Sequence, residues 1–87
     1  MEFQVYAVKD ELSGIFGNLI VVNEKVADRT FKWMAQEMEK ADCEDKRVYL
    51  LGKYDNESGQ IKPLALPMLM YNIELMKKEQ LNGSKNL

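Results

Sequence analysis

The chain has 87 residues, enough for one compact domain and too few for two. A hydrophobic content of 46% with 30% charged residues excludes a disordered chain, and a net charge of −2 excludes a broad electrostatic grip on duplex DNA, so any nucleic-acid role has to rest on a local patch. The single cysteine, Cys43, excludes an intrachain disulfide, and the absence of histidine removes imidazole catalysis and imidazole metal ligation.

Phe3–Val8 is rich in β-branched and aromatic residues and reads as a strand. Asp10-Glu11-Leu12-Ser13-Gly14 has hairpin-loop chemistry: Asp bonds its own backbone two residues on, and Gly accepts a positive φ. Ile15–Val22 is the return strand. Asn23 then stands where a helix cap belongs, with Glu24 in the first turn. From Glu24 to about Ala41 the apolar period becomes helical, with Ala27, Phe31, Met34, Met38 and Ala41 on one face. Arg47–Tyr54 is the third strand, Asp55–Gly59 a second hairpin loop, and Gln60–Leu64 a short return strand that Pro63 confines to an edge. Pro67 suits the first turn of a helix over Met68–Leu81, with Leu69, Ile73 and Met76 inward.

The expectation is a single α+β domain over residues 1–81, ordered ββαββα, with an antiparallel sheet carrying its helices on one face. Residues 82–87 are expected to be a polar, frayed tail. The halves share a 45-residue offset: Asp10, Ser13 and Gly14 recur as Asp55, Ser58 and Gly59. Common loop chemistry alone is the plainer explanation, because hairpin loops draw on few residue types.

No catalytic constellation emerges. Asp42 and Glu44 flank Cys43 and oppose its ionisation, no glycine-rich phosphate loop occurs, and the carboxylates near the loops are explained as turn chemistry. The expectation is a protein without enzymatic activity, cofactor or metal. Met1-Glu2-Phe3-Gln4 lacks the basic start and apolar run of a secretory leader, and no apolar stretch approaches the roughly 20 residues that span a bilayer. A cytoplasmic location without membrane contact follows as an expectation.

Two surfaces are candidates for function. If Phe3, Val5, Ala7, Leu19, Val21, Val48 and Leu50 face the helices, the other sheet face carries Tyr6, Phe16, Ile20, Tyr49 and Leu51, with Lys53 beside them. That face is too apolar for water. Either another copy of the chain, making a homo-oligomer, or the second helix covers it, or its aromatics stack on single-stranded bases. The second surface is a stripe on the first helix, Lys25, Arg29, Lys32, Gln36 and Lys40, with Trp33 at its edge. Basic groups beside an aromatic suit a single-stranded nucleic acid, and a solvated, ion-paired helix face is the plainer alternative.

Val5-Tyr6-Ala7-Val8-Lys9-Asp10, then Ser13-Gly14-Ile15-Phe16, Val22-Asn23-Glu24 with Ala27, Arg29 and Phe31, and finally Tyr49 through Gly59 occur in order. Over about residues 3 to 63 this set resembles the small nonstructural protein of gokushoviruses, the VP5 or ORF5 family of microviruses, phages with circular single-stranded DNA. The resemblance implies a nonstructural phage protein in the host cytoplasm that binds single-stranded DNA and assists viral DNA synthesis or genome packaging. It carries over no catalytic residues. On the residues alone, the DNA contacts fall to Lys25, Arg29, Lys32, Trp33, Lys40 and Lys53. The alternative is an adaptor that docks on a viral replication or procapsid protein and never grips DNA.

Overall fold

A computed structural model describes residues 1–85. The chain runs β1 (Glu2–Asp10), β2 (Ile15–Val22), α1 (Glu24–Glu37), a single turn α2 (Lys40–Cys43), β3 (Lys46–Asp55), β4 (Ile61–Asn72) and α3 (Ile73–Lys85). The strands form one antiparallel sheet in the order β2-β1-β3-β4 with the helices on one face, the expected α+β arrangement.

Both hairpins close by the same device. In the first, the Leu12 amide donates to Asp10 Oδ1 at 3.0 Å, the Gly14 amide donates to the Asp10 carbonyl at 2.7 Å, and Gly14 sits at φ +76°. In the second, the Glu57 and Gly59 amides make the equivalent bonds to Asp55 at 2.9 and 2.8 Å, and Gly59 sits at φ +77°. The strand order is also symmetric about the β1–β3 junction. The 45-residue echo therefore extends from loop chemistry to topology. It lengthens at the helices because β4 bows out: Leu51 alone faces the four residues 64–67. The caps follow suit, with Asn23 Oδ1 accepting from the Lys25 amide and Asn72 Oδ1 from the Leu75 amide, each at 2.9 Å.

The core joins Tyr6, Val48 and Leu50 of the sheet to Ala27, Phe31 and Ala35 of α1, Cys43 of α2 and Ile73 of α3. Tyr6 meets Phe31 edge-on at 5.1 Å between ring centroids, and Tyr71 closes the aromatic cluster. Burial, then the Glu24 carboxylate, pushes the Tyr6 hydroxyl up, since both oppose a buried phenolate.

Several expectations are corrected. Tyr6 and Ile20 point toward the helices, not away from them, together with Val8 and Val22. Register decides this: Tyr6 lies opposite both Leu50 and Ile20, and directly opposed residues share a face. Phe3, Val5, Ala7, Leu19 and Val21 accordingly fall on the face away from the helices. The first helix stops at Glu37, where Met38 turns extended and donates its amide to the Met34 carbonyl. The restart as α2 buries Cys43, which a continuous helix would have aimed elsewhere. Met68–Asn72 is strand, not helix: beyond the bow, Leu69 pairs with Tyr49 and Tyr71 with Val48, so Leu69 stays exposed while Ile73 and Met76 turn inward. Part of the expected tail, 82–85, belongs to α3, and Asn86 and Leu87 lie outside the described residues.

Candidate functional site

The outer side of α1 assembles the first candidate. Asn23 fixes the start of the helix, and Ala27, Phe31 and Ala35 pin its inner face to the sheet. The helical period then leaves Lys25, Asp28, Arg29, Lys32, Trp33 and Gln36 around one shallow trough of about 460 Å³. The Trp33 indole is 62% exposed, which is unusual for so large an apolar ring. Lys32 pairs with Asp28 at 3.1 Å, an exposed contact one helical turn long that contributes little stability. Among the described residues, Lys25 and Arg29 make no ion pair. Three cations against one carboxylate leave the trough locally positive on a chain that is net negative.

α3 holds the far end of that helix. Lys77 Nζ donates to the Gln36 carbonyl at 3.2 Å and Gln80 Nε2 donates to the Lys32 carbonyl at 3.0 Å. α1 has no basic residue in its own last turn, so Lys77 supplies from α3 the charge that favours a helix C-terminus.

Two residues expected to contact DNA lie elsewhere: Lys40, expected in the helix stripe, and Lys53, expected beside the aromatics of the open sheet face. Lys40 is in α2, beyond the break in the helix, and lines a separate depression with Cys43, Glu44, Glu74, Lys77 and Lys78. Lys53 lies beside Glu2, Gln4 and Glu24, with its ammonium 4.0 Å from the Glu2 carboxylate. Its surroundings are acidic and it adds nothing to the trough. Burial comes first in raising the Cys43 thiol, with Lys77 opposing it and Asp42 assisting. The expected direction holds, although burial outweighs the acidic neighbours.

The sheet face away from the helices is the second candidate. It exposes Phe16, Leu19, Val21 and Leu69, with Tyr49 half-buried among them. Of the residues expected there, Phe16 and Tyr49 are present, Leu51 falls at the break in pairing with both neighbouring strands, and Leu69 is an addition that a helical reading of its segment had hidden. Phe16 and Tyr49 meet edge-to-face at 5.6 Å, and Lys9 Nζ sits 5.4 and 5.5 Å from their ring centroids. The Tyr49 hydroxyl donates to Glu11 Oε1 at 2.6 Å, and that acceptor raises its pKa. Glu11 also lies 3.9 Å from Lys9. The polar end of this face is thus neutralised from within: the lysine is occupied by two rings and a carboxylate, and that carboxylate would repel a phosphate. Lys9 and Glu11 escaped the sequence reading because each looked like ordinary strand-end and turn polarity.

Among the described residues, no three acidic or thiol side chains gather into a metal-binding group, and no helix is long and apolar enough to cross a membrane. No curated protein and no solved structure matches the chain. A family model described as phage ORF5 protein matches residues 3–76, which takes in all of the sheet but Glu2, together with α1, α2 and the start of α3. The chain belongs to the phage ORF5 protein family.

Proposed function

We propose that this phage protein binds single-stranded DNA along the outer side of α1 and so assists viral DNA synthesis or genome packaging. One observation carries the reading: Lys25, Arg29 and Lys32 surround an exposed tryptophan in a single trough. A single strand offers both chemistries that this group can use. Its phosphates take the cations, and its unpaired bases stack on the indole, a contact contributing about 1–3 kcal/mol per base. Three phosphate contacts give a modest affinity whose logarithm falls with log salt at a slope of about −2.

Anisotropy of a labelled single-stranded oligonucleotide at low and moderate salt tests this. Wild-type protein binds at low salt and releases as salt rises, and Arg29→Glu with Lys32→Glu abolishes binding while leaving the fold intact. Equal binding by the charge-reversed protein contradicts the assignment.

The exposed apolar sheet face favours a second reading, in which that face docks on a viral replication or procapsid protein. Capture of such a protein by the wild type, lost on Leu69→Glu and kept by the α1 double variant, would support it.

A further inference from the structure

The two edges of the sheet are built differently. β4 carries Lys62, Pro63 and Pro67 and bows away from its neighbour over residues 64–67. Prolines, a lysine and a bulge are the devices by which edge strands avoid pairing with other chains. β2, the opposite edge, reads Ile-Phe-Gly-Asn-Leu-Ile-Val-Val and contains no charge and no proline. Its one irregularity is the shift near Gly17 and Asn18, after which Leu19–Val22 pairs regularly with β1. Six or seven residues of high β-propensity without charge or proline form the pattern most prone to strand addition. Leu19 is 61% and Val21 46% exposed, so the side chains at this edge are uncovered along with its backbone.

We infer that β2 is an interface between two copies of this chain, pairing antiparallel with its counterpart across a two-fold axis to join two four-stranded sheets into one of eight. A second copy fits for a definite reason. In a two-fold contact every residue meets the same surface patch, so a charged edge would set like charges against each other. β2 has no charge to repel its own image. Self-pairing sets the aliphatic run Leu19–Val22 against its counterpart, covering Leu19 and Val21 on the open face and satisfying the free strand edge. It leaves the α1 trough open, because the trough lies on the side of α1 that faces away from the sheet, and it is independent of DNA binding. One strand pair is a small interface, so the dimer dissociates on dilution.

Sedimentation equilibrium across a concentration series reads this as a doubling of the 10.1 kDa chain mass. Leu19→Lys with Val21→Lys, and Leu19→Glu with Val21→Glu, are each monomeric alone, and an equimolar mixture of the two restores the dimer. Leu69→Lys, on the open face but away from β2, remains dimeric. A wild-type protein that stays monomeric at high micromolar concentration overturns the inference. So do charge variants that dimerise alone. A dimer lost on Leu69→Lys overturns it as well, since that result means the sheets stack face to face.

Discussion

At Gly52 the backbone of β3 lies close against that of β4. A Cβ placed there would fall on the Lys62 carbonyl oxygen and 2.9 Å from Pro63 Cα, both backbone atoms that cannot swing aside. The bow that begins at residue 64 starts from this contact. Gly52→Ala should therefore destabilise the protein by about 1–3 kcal/mol, the usual range for forced overpacking. Urea unfolding measures it, and an unchanged midpoint would show that β4 can move away freely. Asp10 and Asp55 carry a second residue-scale effect. The backbone amides of Leu12 and Glu57 hold their carboxyls below the ordinary carboxylate range. A folded-state pKa below the unfolded value of about 3.9 gives stabilisation that is present above that pH and lost as pH falls through the folded value. Asp10→Asn with Asp55→Asn keeps an acceptor in each loop and removes the titration. The double variant should lose less stability than the wild type between neutral pH and the acid range; an identical loss would assign the acid sensitivity to other carboxylates.

At the scale of elements, α1 depends on its neighbour. Its C-terminal carbonyls accept from Lys77 and Gln80 of α3, and the charged contact sits where the helix dipole favours it. Lys77→Met should cost about 0.5–1 kcal/mol, seen as a lower thermal midpoint that Lys77→Arg partly restores; an unaffected midpoint would mean that the apolar face alone holds the helix. The sequence made the elements legible where a local signal and the tertiary outcome agree. The hairpin loops are the clearest case, because Asp, Ser and Gly act within four residues of one another. β1 was harder: Phe3, Val5, Tyr6, Ala7 and Val8 put apolar groups on both faces, so alternation could not choose which side meets the helices, and only the register with Ile20 and Leu50 does. Pro67 reads equally well as a helix start and as an edge-strand residue. The signal that separates the two is Asn72, a capping residue five positions later. The end of α1 had no such marker. No Gly or Pro follows Glu37, and the break that precedes the buried Cys43 leaves Lys40 outside the stripe.

For the whole molecule, function follows from how a thin sheet divides its surroundings. One face is filled by helices whose outer side presents Lys25, Arg29, Lys32 and Trp33; the other face and the β2 edge remain apolar and open. The α1 group was readable in advance because four residues on one helix need only the helical period to meet. The open face was not, because it depends on strand register and on a β4 segment that resembles a helix. Separate surfaces proposed for nucleic acid and for a second copy let the two proposals be tested apart. The sole tryptophan makes the first of them directly visible. Titrating unlabelled single-stranded oligonucleotide into the protein while recording Trp33 emission should give saturable quenching at low salt. That quenching should reverse as salt is added and should vanish in the Arg29→Glu, Lys32→Glu protein. Emission that stays constant while the oligonucleotide demonstrably binds would place the strand elsewhere and contradict the account.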